Sequence, residues 1–391
     1  MTVTPEEHEL FVPGRICLFG EHSDWAGGYR KENPDLLPGQ CLISGTDQGL
    51  YARVKAHPSS KLVLKCTLHT GQSSSTEIEW EDLLSEATSA NSHWSYICGV
   101  IYQIQKRYPQ VGGIVLDNYK TTLPVKKGLS SSAAVCVLTA RAYNVVYDLG
   151  LSLRDEMELA YLGETTTPSK CGRMDQGCAY GQGPILMEFD GDDLNVKDDV
   201  ILNTPIHLIL VDLQAHKDTP SILRDLRKAY PKPSCEVTEG VQKLFGRLNH
   251  EIMKKALGAL EVGCAKRVGE LMTEAQHLFD RYAMPASQHL TSPVLHKLLS
   301  NPALRPHVYG GKGVGSQGDG SAQFVAKSEE HRRIAINIIE QELGMSCLPL
   351  TLGKRNCSSE EESQQLSPEQ QDRRRTHQFA HPIDNVGRNG H

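Results

Sequence analysis

Three short stretches of this 391-residue chain gather residue types that could handle a phosphate or a polyhydroxylated ligand. The first is Leu123–Ala134, LPVKKGLSSSAA, where Gly128, Ser130, Ser131 and Ser132 stand directly before an apolar helical pattern. Free backbone amides at a helix start, hydroxyls beside them and the positive end of the helix dipole together make a phosphate site. A plain Ser-capped helix is the ordinary alternative. One serine suffices for a cap, however, and here three follow a glycine and two lysines. The chain has no GxxxxGK(S/T) loop.

The second stretch, Tyr309–Ser321, YGGKGVGSQGDGS, holds six glycines in the twelve residues up to Gly320. Such density lets a backbone approach a ligand or adopt positive φ, although a mobile surface loop has the same composition. The third, Pro13–Tyr29, PGRICLFGEHSDWAGGY, follows an apolar strand and packs Arg15, Glu21, His22 and Asp24 into ten residues. Several fixed donors and acceptors suit a sugar pocket; a surface turn with a local salt bridge explains any one of these residues but not all four.

The elements that must position these stretches are legible from periodicity. Leu10–Leu18, Cys41–Lys55, Lys61–Leu68 and Gly112–Tyr119 are expected as strands, with helices over His93–Tyr108, Ser130–Val146 and Leu153–Glu164. The sequence turns polar near Asp192–Thr204, which places a boundary between residues 1–200 and 201–355. The second part is expected to run from strand His207–Leu213 through helices around Ser221–Tyr230 and His250–Tyr282. Its close, strand Ala322–Lys327, helix Glu329–Leu343 and strand Ser346–Thr351, suits a split βαβ layer. Residues 356–391 are polar and low in aliphatic side chains, and are expected to be a disordered tail.

Composition narrows the classes. At 39% hydrophobic and 23% charged, the chain is an ordinary globular protein. A net charge of -6 argues against a broad grip on nucleic acid or an anionic membrane. Eleven scattered cysteines without a CxxC pair point away from a disulfide framework and toward a reducing cytoplasm. The acidic start lacks a secretory or transit pattern, and no apolar run approaches the roughly 18–20 residues of a membrane helix.

The serine stretch resembles motif 2 of the GHMP kinases, Px3GLSSSAA. Pro13–Tyr29 is similar to motif 1 of galactokinases, GRVNLIGEHTDYNGG, at Gly14, Arg15, Gly20, Glu21, His22, Asp24, Gly27 and Gly28, with Trp25 in place of a tyrosine. His93–Val100 is similar to their WxNYVKGV stretch, and Lys170–Tyr180, KCGRMDQGCAY, to their CGxMDQ segment. The glycine stretch stands where the family carries motif 3, GxKxxGxGxGG, but has Gln317 and Asp319 at positions where small residues are usual, and its Gly-Lys form is more typical of members that act on other alcohols.

The resemblance spans residues 11 to 351. It implies an α+β, two-lobed GHMP kinase fold, with an amino-terminal lobe like domain 2 of ribosomal protein S5 and a ferredoxin-like carboxy-terminal lobe. ATP and Mg2+ are the implied cofactors. Gly128, Leu129, Ser130, Ser131, Ser132 and Ala133 would take the triphosphate; Arg15, Glu21, His22, Asp24, Gly172 and Asp175 would take the substrate. Asp175 would be the base and Arg15 its catalytic partner. Ser132 and Glu164 would hold the metal, the second because a carboxylate at a helix end is disfavoured by the dipole unless a cation offsets it. Taken singly, Asp175 could be a turn cap and Glu164 a solvated helix end.

The expected activity is phosphorylation of a galactose-like sugar at its anomeric hydroxyl, by a monomer or homodimer. Phosphorylation of another alcohol, a sugar acid or a specialised metabolite is the enzymatic alternative. A non-catalytic galactokinase-like sensor is the other, which Asp319 keeps open because an acid beside phosphates would repel them.

Overall fold

A computed structural model describes residues 6–124, 128–169 and 171–353. Lys126, Lys127, Lys170 and the expected tail 356–391 lie outside the described residues.

Two sheets organise the chain. The first holds β1 (His8–Phe19), β2 (Gly39–Ala56), β3 (Leu62–Thr67), β4 (Ser73–Ile78), β5 (Ile114–Thr121), β6 (Pro184–Asp190) and β7 (Asp193–Lys197), in the order β4-β3-β5-β2-β6-β7, with β1 paired to the long β2. The second holds β8 (Ile206–Asp212), β9 (Val308–Gly313), β10 (Ser321–Ala326) and β11 (Ser346–Leu352), in the order β11-β8-β10-β9. The expected split βαβ unit is present: β10 and β11 flank β8 on opposite sides, joined by helix Glu329–Leu343. The expected α+β class is therefore the one observed, and the chain passes from one sheet to the other between Lys197 and Ile206.

Helix Ser131–Tyr147 buries Ala133, Ala134, Cys136, Val137, Leu138, Ala140, Ala142 and Tyr143, so apolar residues line most of its circumference. It packs against β1, β2 and helices Ser95–Arg107 and Leu153–Thr166, which fixes its amino end beside β1. Ser152 caps helix Leu153–Thr166 in a reciprocal box with Asp155, so that helix starts where the sequence signals it.

Two expectations change. The helical pattern over His250–Tyr282 is two helices, Asn249–Glu261 and Ala265–Tyr282, because Gly263 (φ 67°) takes the left-handed turn that ends the first. The glycine stretch does not begin as a loop: Val308–Gly313 is β9. A side chain at Gly269 would lie 2.6 Å from Tyr309 Cβ, and one at Gly310 would strike the Gly269 carbonyl, so these glycines let helix Ala265–Tyr282 lie directly on the strand.

Candidate active site

Arg15 is placed by an irregularity. The β1–β2 register shifts between Pro13 and Arg15, and such bulges re-aim side chains next to sites. The backbone amide of Arg15 donates to the Leu129 carbonyl (3.1 Å), and its Nη1 to the Gly128 carbonyl (3.0 Å). Its Nη2 donates to Asp175 Oδ1 in an ion pair. Burial opposes the Arg15 charge, and Asp175 more than offsets it, leaving the guanidinium's pKa raised. The Asp175 side chain keeps 24% of its surface exposed, against 6% for Arg15, so the carboxylate is still within reach of a ligand.

Asp175 opens the short helix Asp175–Tyr180, and its neighbour Gln176 is fully buried. Gln176 Nε2 donates to Glu164 Oε2 (2.8 Å), and the Ser132 hydroxyl also hydrogen-bonds Glu164. Glu164 is only 1% exposed in the last turn of its helix, which removes the solvated-end alternative. Burial raises its pKa, and the nearby negative charge of Asp175 adds to this. A buried carboxylate and the serine hydroxyl bonded to it are hard oxygen donors of the kind Mg2+ takes, so Ser132 and Glu164 fit that ion. Among the described residues no group of three or more His, Cys, Asp and Glu side chains forms a metal cluster.

The serine stretch enters its helix with Ser130 in the left-handed conformation (φ 52°) and Gly128 at φ 79°. Six non-glycine residues among those described have positive φ, and three of them, His22, Ser130 and Gln317, fall one in each of the three stretches. Backbone strain of this kind concentrates at functional sites. Gly128 also faces the glycine stretch, since a Cβ there would lie 3.6 Å from Val314 Cγ1.

The acceptor-type residues divide into two groups. Asp24 belongs with Asp175 and Arg15: burial and then the Asp175 charge push its carboxyl up to about 6, and Arg15 partly counteracts them. Gly172 closes against it, because any side chain at that position would collide with Asp24 Oδ2. Glu21 and His22 sit deeper. Glu21 is paired with Lys312 of β9, the two side chains being 7% and 2% exposed. His22 accepts a hydrogen bond at Nδ1 from Trp25 Nε1 (3.1 Å) and lies among Trp25, Phe245 and Phe279. Burial and then the charge of Lys217 push its pKa down to about 3, so the ring is neutral.

The Asp319 carboxylate is engaged within the protein. Its Oδ1 accepts from the Leu295 amide (2.9 Å) and so caps helix Pro293–Leu299, whose preceding Ser292 offers no side-chain cap. Trp94 and Tyr96 pack against the core. Neither Gln176 nor Lys217 has a role expected from the sequence, and Lys312 figures there only in the Gly-Lys form of the glycine stretch. Gln176 could have been singled out, since a glutamine beside a candidate base is a natural partner for a second acid. A lysine on its own carries no such mark.

Residues 95–183 match the GHMP kinases N terminal domain, which contains the serine stretch, Glu164 and Asp175. The chain is 26% identical over 304 residues to galactokinase of Haemophilus influenzae, covering 73% of this chain and 71% of the relative. It is 30% identical over 166 residues to galactokinase of Thermosipho africanus, 42% of this chain and 41% of that one. Its fold matches Lactococcus lactis galactokinase complexed with galactose (TM-score 0.65, 19% identity, 89% of this chain and 94% of that one). It equally matches Methanococcus jannaschii mevalonate kinase (TM-score 0.67, 16% identity, 89% and 99%). The resemblance to GHMP kinases stands on these findings, and with it the expected enzyme class.

Proposed function

We propose that this chain, an ATP-dependent phosphotransferase with an alcohol group as acceptor, phosphorylates a galactose-like sugar at its anomeric hydroxyl. The observation that carries the proposal is that Arg15 spans the serine stretch and the candidate base, donating to the Gly128 carbonyl with one nitrogen and to Asp175 with another. A nucleotide phosphate at the helix start and a hydroxyl at Asp175 would therefore lie on either side of one guanidinium. The identity with galactokinases supports a sugar as acceptor.

Asp175 takes the hydroxyl proton as the sugar oxygen forms its bond to the terminal phosphorus and the bond to the ADP oxygen breaks. Arg15 holds the base in place and offsets charge on the moving group. Gly128, Leu129, Ser130, Ser131, Ser132 and Ala133 offer amides and hydroxyls to the phosphates. Ser132 and Glu164, the latter oriented by Gln176, would hold Mg2+, which when bound neutralises phosphate charge. Asp24, with Gly172 closing its back, would accept hydrogen bonds from the other sugar hydroxyls. Residues 1–200 and 201–355 would form the two lobes. Among the described residues no helix is long and apolar enough to cross a membrane.

One observation favours a second alcohol: Glu21, the expected sugar ligand, has its carboxylate engaged by Lys312. Asp319, which left a sensor open, caps a helix and lends that alternative no support. Release of ADP measured across galactose, other neutral sugars, sugar acids and mevalonate tests the proposal. Galactose-dependent release is expected; release with mevalonate alone, or with no acceptor, contradicts it.

A further inference from the structure

Between β8 and helix Thr219–Arg227 lies Lys217, which belongs to none of the motifs above. Its stem runs along the glycine turn that follows β9. A Cβ at Gly318 would be 3.7 Å from its Cγ, and one at Gly320 would be 2.6 Å from Cδ and 3.1 Å from Nζ. Glycine at 320 is thus what leaves room for the ammonium. A Cβ at Gly315 would be 3.9 Å from the same nitrogen, and Gly315 follows Val314, whose side chain reaches Gly128. Thr219 and Ser316 share a hydroxyl hydrogen bond (3.1 Å) that ties the lysine's segment to the turn.

No carboxylate among the described residues pairs with this ammonium. The acid that senses it is Glu21, which Lys312 already engages. Burial pushes the Lys217 pKa down to about 8, and Glu21 only partly opposes this. A lysine that merely snorkels would carry its charge out to water. Here the charge is instead held close enough to His22 to help keep that ring neutral. An ammonium that is only partly exposed and has no paired carboxylate is less favourable than a solvated one until an anion arrives.

We propose that Lys217 is the counter-charge for a ligand oxyanion bound between the Glu21–His22 segment and the serine stretch. The oxyanion comes either from the terminal phosphate of the nucleotide or from an acidic group on the acceptor. The proposal rests on the kinase reading above, and it adds a recognition residue that the motifs omit.

The test is equilibrium binding by calorimetry to the full chain and to Lys217→Met and Lys217→Arg, each first shown to melt as the parent does. The probes are ADP, a non-hydrolysable ATP analogue with Mg2+, galactose and galacturonate. Lys217→Met should weaken one anionic probe by roughly tenfold to a hundredfold, the loss of one charge-assisted contact, while galactose is unaffected and Lys217→Arg recovers most of the loss. Weakening of the ATP analogue but not ADP assigns the terminal phosphate; weakening of galacturonate alone assigns an acidic acceptor. If Lys217→Met binds every probe within about twofold of the parent, the inference is overturned even where ATP-dependent turnover of sugar persists. Lys217-dependent anion binding without any such turnover would instead remove the kinase reading and leave the anion site standing.

Discussion

Lys312 reaches across 291 positions of sequence to donate to Glu21, joining β9 of the second sheet to the segment that follows β1 of the first. Neither side chain has appreciable contact with solvent. Removing one partner of such a pair strands the other's charge, at a cost of about 3–5 kcal/mol, whereas replacing both with apolar groups is close to neutral. Lys312→Met and Glu21→Leu should each destabilise by about that amount in urea denaturation, and the double variant should recover most of it. Single variants that each cost under about 1 kcal/mol would show that the pair does not hold the sheets together.

Asp319 gives a contrasting case. As a cap on Leu295 its loss should cost about 1 kcal/mol. Asp319→Ala should therefore lower the melting temperature by a few degrees while leaving kcat/KM within about twofold. A loss of activity well beyond the loss of stability would place this carboxylate at the phosphates after all.

Asp24 makes stability depend on pH. Its pKa is pushed up to about 6 in the fold, above the ordinary carboxyl range, so between about pH 4 and 6 the native state binds more protons than the unfolded chain. The contribution of Asp24 to stability should therefore fall as pH rises through this window and then level off, while His22, whose pKa is pushed down to about 3, contributes the opposite slope in both proteins. Relative to Asp24→Asn, which lacks the effect, the change should approach about 3 kcal/mol. Denaturation midpoints at pH 4, 5, 6 and 7 measure it, and parallel curves for the two proteins would refute it.

Gly172 tests the acceptor side without altering a charge. A methyl group there must displace the Asp24 carboxylate. Gly172→Ala should raise KM for the sugar by roughly tenfold or more and leave KM for ATP unchanged, since displacements of an ångström at a positioning group have effects of this size. Equal changes in both constants would mean that the substitution disturbs the fold rather than the acceptor.

Much of this arrangement was legible in the sequence because it is written locally. Ser131–Tyr147 announces itself by its apolar run and the serines at its start, and Ser152 and Asp155 mark the next helix within four residues. The composition of the glycine stretch was equally plain, but its meaning was not. Gly310 serves helix packing, Gly320 makes room for a lysine from another segment, and Asp319 caps a helix 24 residues upstream. Each of those partners is set by tertiary contact, which leaves no local pattern. The same holds for Glu21: its place in a motif suggested a ligand, while its partner Lys312 lies at the far end of the chain.

The central claim is that Asp175, held by Arg15 beside the serine helix, takes the proton of the hydroxyl being phosphorylated. The most direct test is a single-turnover measurement with labelled ATP, Mg2+ and galactose, comparing the parent with Asp175→Asn and following labelled sugar phosphate. Removing the base should slow transfer by roughly 10²–10⁴-fold, while the affinity for ATP and the melting temperature stay near those of the parent. Transfer by Asp175→Asn at the parental rate would contradict the account.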